Sequence, residues 1–203
     1  EGEKAVEEMI FDNKYEAESV LELEASKTVN GAAPAEDEVF SFELRDAAGE
    51  LLQTQQNVDG TITFDPIEYI LADAGKTYTY TVAEKAETKD GYTQDETKYT
   101  VTVTISDNRD GTLKIEKSIS EGEKAVEEMI FDNKYEAEGS ATFKGTKTLK
   151  DGALQAGQFS FTLTGNGVSE TVTNDEHGNI VFSEIGYTLA DAGKTYVYTV
   201  AET

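Results

Sequence analysis

An internal repeat of long period limits the folds open to this chain more than any other feature. Residues 1–18, EGEKAVEEMIFDNKYEAE, recur without a change at 121–138. The run LADAGKTYTYTVAE at 71–84 returns at 189–202 with one substitution. A unit of about 120 residues is large enough to enclose its own core, unlike the short repeats of a solenoid. The chain is therefore predicted to be a window on a tandem array of similar domains.

The repeat frame divides the chain unevenly. Residues 1–16 are predicted to be the closing strand of a preceding repeat, 17–137 a complete repeat, and 138–203 the N-terminal half of the next repeat. The half-repeat has no counterparts of the last three strand patterns of the complete one. Each complete repeat is expected to fold around its own core.

Regularly spaced strand patterns fill the complete repeat. Alternating or β-rich runs occur at 20–29, 39–45, 61–65, 76–84, 98–106, 112–119 and 128–136. Turns that contain glycine or asparagine separate several of these runs. Short strands with one apolar face and polar turns predict an all-β fold, an antiparallel β-sandwich of the immunoglobulin type. Residues 121–128 are the exception, because they are predicted to form a helical turn.

Three polar residues interrupt the apolar faces of three of these strands. Lys27, Glu84 and Asn133 each follow apolar residues at a spacing of two, as Lys27 follows Ala25. Residues two apart in a strand share a face, so each polar side chain is predicted to point into the core. A buried charge without a partner would cost several kcal/mol, so the three groups are expected to meet.

The same residue types recur in the second copy of each strand that the chain contains. Lys147 and Glu202 occupy the positions of Lys27 and Glu84, and Asn13 lies between Phe11 and Tyr15 as Asn133 lies between its own aromatic neighbours. The repetition makes a coincidence of phase a poor explanation for the pattern.

A lysine, a carboxylic acid and a carboxamide in an apolar site allow covalent chemistry. Desolvation favours the neutral form of both the amine and the acid. The neutral amine of Lys27 is a nucleophile for the side-chain carbonyl carbon of Asn133. Glu84 is expected to hydrogen-bond the carbonyl oxygen and to carry protons to the departing ammonia. The predicted product is a Lys–Asn isopeptide bond, formed in a single turnover and without an enzyme.

Each of the three residues also has a simpler interpretation. Lys27 fits a strand-edge lysine whose stem packs on the core while its ammonium reaches water. Glu84 alone fits a surface acid near the end of a strand, and Asn133 alone fits a turn or edge residue. Only their joint appearance on three strands favours the crosslink.

Composition excludes several classes of function. The chain has no cysteine and a single histidine, so neither thiolate metal sites nor histidine dyads are expected, and we predict no metal and no cofactor. The net charge is −24, which opposes binding to nucleic acid and to anionic membranes. No apolar run approaches the length of a membrane span.

Two acidic stretches look like ion-binding loops but are better explained as turns. DNRDGT at 107–112 lacks the spacing and the final glutamate of an EF-hand loop, and it lies between two strand patterns, so it predicts a hairpin. NDEHGN at 174–179, which contains His177, likewise predicts a turn.

Three of these motifs also indicate a family. The Lys27-Thr28 pair, the strand TYTYTVAE that ends at Glu84, and the closing strand MIFDNKYEAE around Asn133 resemble the isopeptide-forming repeats of Gram-positive pilins and surface adhesins, of the CnaB-like kind. The resemblance implies an immunoglobulin-like sandwich in which Lys27 is the amine, Asn133 the electrophile and Glu84 the catalytic acid. It also implies that Lys147 and Glu202 have the same roles in the next repeat.

The expected function is structural rather than enzymatic. The resemblance implies a stalk or spacer module of a secreted, extracellular protein anchored in the bacterial cell wall, in contact with neighbouring repeats of the same protein. The alternative is an adhesin domain that binds a host protein or glycan through its loops. A hydrolase with paired carboxylates is disfavoured, because no insertion builds a cleft.

The uneven frame adds a hypothesis about assembly. Residues 1–16 supply a closing strand without a domain, and 138–203 supply a domain without a closing strand. Strand donation between chains is one possibility, and it would bring Asn13 of one molecule to Lys147 and Glu202 of another. The other possibility is that these are simply the boundaries of a fragment.

Overall fold

The computed structural model describes residues 11–203, which fall into two units. The first unit ends at Tyr135 and the second comprises Glu136–Thr203. This division lies close to the end of the complete repeat predicted at 137. Residues 1–10 of the predicted closing strand at 1–16 lie outside the described residues, and residues 11–17 have an irregular conformation.

The first unit is built from short strands. They are β1 (Glu18–Leu21), β2 (Glu24–Val29), β3 (Ser41–Asp46), β4 (Leu51–Gln56), β5 (Thr61–Thr63), β6 (Ile67–Ile70), β7 (Thr77–Glu84), β8 (Tyr92–Thr93), β9 (Lys98–Asp107), β10 (Leu113–Glu121), β11 (Lys124–Val126) and β12 (Ile130–Tyr135). The 3-10 turn Leu71–Asp73 leads into β7.

Two main sheets form the first unit. One has the strand order β11-β10-β9-β7-β3-β4 and the other the order β5-β2-β12-β8, while β1 pairs with β6. Aromatic side chains from both sheets meet in the core: Phe131 of β12 lies 5.1 Å, between ring centroids, from Phe42 of β3 and from Tyr99 of β9. The prediction of an all-β sandwich of the immunoglobulin type is therefore confirmed.

The sandwich joins the beginning of the repeat to its end. Strands β2 and β12 are parallel neighbours, with Lys27 opposite Phe131 and Val29 opposite Asn133. Parallel strands need a long connection, and here almost the whole repeat supplies it. The other pairings among the named strands are antiparallel, as predicted.

The structure corrects the prediction for residues 121–128. These residues form a hairpin instead of a helical turn. Strand β10 continues to Glu121, and a turn at Gly122, whose φ of 57° is left-handed, connects it to β11. The pairing of Ser120 with Ala125 supplies hydrogen bonds that a helical turn would forgo. Pairing across the hairpin outweighs the weak local preference for helix.

The second unit repeats the order of the first half of this sandwich. Its strands are β13 (Glu138–Ala141), β14 (Lys144–Thr146), β15 (Ser160–Gly165), β16 (Val168–Thr173), β17 (Asn179–Val181), β18 (Ile185–Thr188) and β19 (Thr199–Glu202). Pairs β13–β18 and β14–β17 accompany a sheet of order β16-β15-β19. A small core of Phe161, Leu163, Ile180 and Phe182 lies inside this unit.

None of the helical segments within residues 11–203 has the length and apolar character needed to cross a bilayer.

Candidate functional site

Lys27 lies in the interior of the first unit, as its phase in the sequence predicts. It follows the buried Ala25 on one face of β2, and its side chain is 0% exposed. Gly60 fixes the main chain beside it: the Lys27 N–H donates to the Gly60 carbonyl at 2.7 Å, and a Cβ on Gly60 would lie 3.1 Å from the Lys27 carbonyl oxygen. The lysine therefore does not reach water, which removes the simpler interpretation of an edge residue.

Glu84 and Asn133 reach the same interior from the two facing sheets. Glu84 is the last residue of β7 in the six-stranded sheet, and its side chain is 4% exposed. Asn133 belongs to β12 in the four-stranded sheet and is 1% exposed. Because β12 is the parallel neighbour of β2, the asparagine lies one step beyond Lys27 on the same face.

Glu84 joins the other two residues through its carboxylate. Lys27 Nζ donates to Glu84 Oε2 at 2.9 Å, and Asn133 Nδ2 donates to Glu84 Oε1 at 2.8 Å. The structure thus brings together the three residues that the sequence singled out in the complete repeat. No buried side-chain nitrogen or oxygen in the described part of the chain lacks a hydrogen-bond partner.

The carbonyl oxygen of Asn133 has a partner that the sequence did not suggest. The main-chain N–H of Asp95 donates to Asn133 Oδ1 at 2.7 Å. The Asp95 carboxylate in turn accepts hydrogen bonds from the N–H groups of Asp132 at 2.8 Å and of Thr97 at 2.9 Å, which anchors it to β12. The expectation that Glu84 would contact the carbonyl oxygen is wrong in this structure, because Asp95 occupies that side and directs the amide nitrogen toward Glu84.

The apolar surroundings make the charged form of the lysine less favourable than it is in water. Desolvation lowers the pKa of Lys27 below its ordinary value, and the attraction of Glu84 offsets this only in part. The Lys27 ammonium nitrogen also lies 4.7 Å from the centre of the Phe40 ring. The amine is therefore shielded from water and lies between an aromatic ring and the Glu84 carboxylate.

A small cavity adjoins Glu84 and Asn133. Its volume is about 120 Å³, and its lining includes Phe40, Glu84, Lys89, Tyr92 and Asn133. Lys89 lies across the rings of Phe40 and Tyr92 at 4.6 and 4.7 Å from their centres. The cavity is large enough to hold a molecule of the size of water.

The second unit contains a more open version of the lysine–glutamate pair. Lys147 Nζ donates to Glu202 at 2.7 and 2.8 Å, and the two side chains are 20% and 46% exposed. As Lys27 lies near Phe40, Lys147 lies 4.2 Å from the centre of the Phe159 ring. Glu202 accepts no hydrogen bond from an asparagine side chain among residues 11–203.

Asn13 lies in a different environment from Asn133, although their flanking sequences are identical. Asn13 lies exposed in an irregular segment of the first unit. Phe11, two residues before it, is 86% exposed. The prediction that these residues share the face of a strand is not met in residues 11–17. Strands β2 and β8 pair with β12 around Asn133, whereas no described strand pairs with residues 11–15.

The other sequence motifs form turns. DNRDGT is the hairpin between β9 and β10, and NDEHGN is the turn that leads into β17, with His177 exposed; both predictions are confirmed. Among residues 11–203, no group of three or more histidine, cysteine, aspartate or glutamate side chains is arranged to hold a metal ion.

Comparison with known proteins returns one family and several structures. The model of the family described as Spy0128-like isopeptide containing domain matches residues 23–136 and 143–203. The major pilin of Streptococcus pyogenes is 14% identical, with 90% of this chain and 82% of that chain covered and a TM-score of 0.44. The T-13 major pilin of the same species is 16% identical, with 91% and 83% covered and a TM-score of 0.39. No curated protein sequence matches the chain.

Proposed function

The chain belongs to the family of Spy0128-like isopeptide containing domains, and we propose that its complete repeat is a structural module of an extracellular bacterial fibre, held together by a covalent bond between Lys27 and Asn133. The observation that carries the proposal is the burial of these two side chains on either side of the Glu84 carboxylate. The repeat serves as a spacer in a cell-wall-anchored stalk or pilus shaft. Its only reaction is its own crosslink.

The reaction begins with the transfer of a proton from Lys27 to Glu84. The two groups are already hydrogen-bonded at 2.9 Å, and desolvation lowers the pKa of the Lys27 amine. The neutral amine then attacks Asn133 Cγ. Confinement in a packed core supplies the high effective concentration that such an attack needs, worth roughly 7–11 kcal/mol of the barrier.

Asp95 and Glu84 act on different atoms of Asn133 in the later steps of the reaction. As the Nζ–Cγ bond forms, negative charge develops on Asn133 Oδ1, where the Asp95 N–H is in place to stabilise it. Glu84 Oε1, hydrogen-bonded to Nδ2, delivers the proton taken from lysine to this nitrogen. The Cγ–Nδ2 bond then breaks and ammonia leaves. The lysine nitrogen passes its second proton back to the Glu84 carboxylate, which leaves a neutral amide beside a protonated Glu84, and one ammonia is released for each amide formed.

The small cavity beside Glu84 and Asn133 provides an exit for the ammonia. It borders both Glu84 and Asn133 and extends to the exposed side chains of Lys89 and Glu87. Once ammonia diffuses into solvent, the reverse reaction has no nucleophile at the site. The release therefore makes the crosslink effectively irreversible.

Intact mass spectrometry tests the proposal directly. The purified chain should weigh one ammonia less than its sequence mass, and peptide mapping should find the peptide of Lys27 joined to that of Asn133. Lys27→Ala and Asn133→Ala should each restore the mass expected from their sequences. Lys147→Ala is the matched control, since it removes the repeated lysine and should leave one ammonia lost. A wild-type chain of full sequence mass would contradict the proposal.

The pair Lys147–Glu202 supports a second proposal about assembly. Strand β2 pairs on both edges, with β5 and β12, whereas β14 pairs only with β17 among the described strands. We propose that a closing strand with an asparagine completes this unit, either from a following segment of the parent protein or by donation of residues 1–16 from another chain. In donation, Asn13 would react with Lys147 as Asn133 reacts with Lys27.

Denaturing electrophoresis and mass spectrometry distinguish the two sources of the strand. Donation predicts covalent dimers and higher species that disappear in both Asn13→Ala and Lys147→Ala. Asp12→Ala is the control that should retain them, because Asp12 is adjacent to Asn13 and is also exposed. If only monomer mass is found at high protein concentration, covalent donation between chains is excluded.

A further inference from the structure

Tyr15 anchors the segment that enters the first unit. Its hydroxyl donates to Asp107 Oδ1 at 2.7 Å and accepts a hydrogen bond from the Gly111 N–H at 3.2 Å. Both partners belong to the hairpin between β9 and β10. The hydroxyl therefore uses its donor and its acceptor capacity on one turn, which a phenylalanine ring could not do.

The hairpin that receives Tyr15 is held by its own hydrogen bonds. Asp107 Oδ1 also accepts from the Arg109 N–H at 2.8 Å, and Asp110 Oδ1 accepts from the N–H and the hydroxyl of Thr112 at 3.0 and 2.6 Å. Gly111 has a φ of 91°, a conformation that glycine adopts without strain. The turn that binds Tyr15 thus has hydrogen bonds of its own that do not involve Tyr15.

The residues after Tyr15 continue along the same hairpin. Ala17 is 5% exposed within the core cluster, and Glu18 forms an isolated parallel bridge with Thr112. Glu16 and Ala17 alone separate Tyr15 from β1. The link between the anchored tyrosine and the sandwich is therefore too short to allow wide movement.

The same tyrosine in the next copy, Tyr135, uses its ring instead of its hydroxyl. Its ring centroid lies 4.6 Å from that of Tyr92. The side chain of Asn30 donates to the Tyr135 carbonyl at 2.9 Å and accepts from its N–H at 3.2 Å. The end of β12 is thus tied to its own repeat.

Because Tyr15 and Tyr135 occupy the same position of one repeated sequence, we propose that this tyrosine is the joint between successive repeats: its ring packs on the repeat that it closes, and its hydroxyl binds the β9–β10 hairpin of the repeat that follows. The partner of the hairpin surface is thus the closing strand of a preceding copy of the same domain. The inference needs the tandem arrangement but not the Lys27–Asn133 bond.

Four single substitutions in the full chain test the two halves of the joint separately. Tyr15→Phe should shift the amide resonance of Gly111 and speed its hydrogen exchange about fivefold, as expected for one lost hydrogen bond. The order parameters of residues 14–17 should fall from about 0.85 to below about 0.6. Tyr135→Phe, in the identical sequence context, should change neither. Conversely, Tyr135→Ala should lower the unfolding midpoint of the first unit, whereas Tyr15→Ala should not.

Two results would overturn the joint. An unchanged Gly111 amide in Tyr15→Phe would mean that the hydroxyl does not hold the hairpin in solution. An unchanged midpoint in Tyr135→Ala would mean that the ring does not anchor the closing strand to its own repeat. Tyr15 is 44% exposed, so its substitutions test docking without disturbing the core.

Discussion

The main-chain N–H of Asp95 lies 2.7 Å from Asn133 Oδ1, on the side of the amide away from Glu84. In the proposed reaction, an N–H in that position would stabilise negative charge on the oxygen, while the carboxylate would deliver a proton to the nitrogen. The oxygen and the nitrogen of one amide thus contact different elements: the oxygen contacts the loop before β9, and the nitrogen contacts the end of β7.

Substitution of Asp95 should slow the crosslink without abolishing the fold. Asp95→Ala keeps the N–H but removes the carboxylate that anchors it to Asp132 and Thr97, so we expect ammonia loss to slow about tenfold or more. The intact mass of samples taken at intervals during cell-free synthesis measures this rate. Asp90→Ala, at an exposed turn before β8, is the control and should react at the wild-type rate. Equal rates in both variants would assign Asp95 no part in the reaction.

The buried ion pair can be measured once the crosslink is removed. Asn133→Ala blocks the bond and leaves the Lys27–Glu84 pair in place. Adding Glu84→Gln then leaves a buried lysine without a carboxylate, which should reduce the free energy of unfolding by about 3–5 kcal/mol. Urea denaturation of the single and double variants gives the difference. A change below about 1 kcal/mol would indicate that Lys27 is already neutral in the folded chain.

The crosslink itself should stabilise the first unit mainly through the unfolded state. It closes a loop of about 100 residues, for which chain entropy predicts about 4–5 kcal/mol. We therefore expect Asn133→Ala to lower the free energy of unfolding by at least that amount. The variant should also expose more surface on unfolding than the wild type, which denaturant titration reports as a larger m-value. Lys147→Ala should leave both quantities of the first unit unchanged. A wild-type chain no more stable than Asn133→Ala would contradict this account.

Asp132 should make the first unit sensitive to acid. The hydrogen bond from Lys134, helped by the Gly31 N–H, lowers the pKa of Asp132 from 3.8 to about 2. A carboxyl with a depressed pKa stabilises the fold fully above its unfolded pKa and loses that contribution as the pH falls toward the folded value. The difference in melting temperature between wild type and Asp132→Asn should thus be largest above about pH 4 and shrink toward pH 2. Asp12→Asn, on an exposed residue, should show no such trend.

Strands and site residues could be predicted from the sequence where inward-facing and outward-facing side chains alternate along a strand. Apolar residues at a spacing of two located β2, β7 and β12, and the same phase identified Lys27, Glu84 and Asn133 as inward-facing. Repetition at Lys147 and Glu202 added a second instance of the pair. These predictions rest on burial, which determines residue type at almost every inward position of a sandwich.

Other features of the fold and the site could not be predicted, because they do not depend on an alternating pattern of buried side chains. Strand β4 is exposed or half-exposed along its whole length at the edge of its sheet, so its sequence LLQTQQ has no clear alternation and was not predicted. Asp95 acts on Asn133 through its main chain, which every residue other than proline possesses. Asn13 shares its flanking sequence with Asn133, and only the presence or absence of neighbouring strands separates their conformations.

The parallel arrangement of β2 and β12 has a mechanical consequence. Tension applied at the two ends of the repeat slides these strands past one another in shear, so their hydrogen bonds resist together instead of opening one at a time. If Lys27 is joined to Asn133 as proposed, the chain between them would carry none of the applied tension. At about 3.4 Å per extended residue, roughly 350 Å of contour length per repeat would stay folded under tension. A fibre of such repeats would stretch hardly at all before its covalent backbone failed.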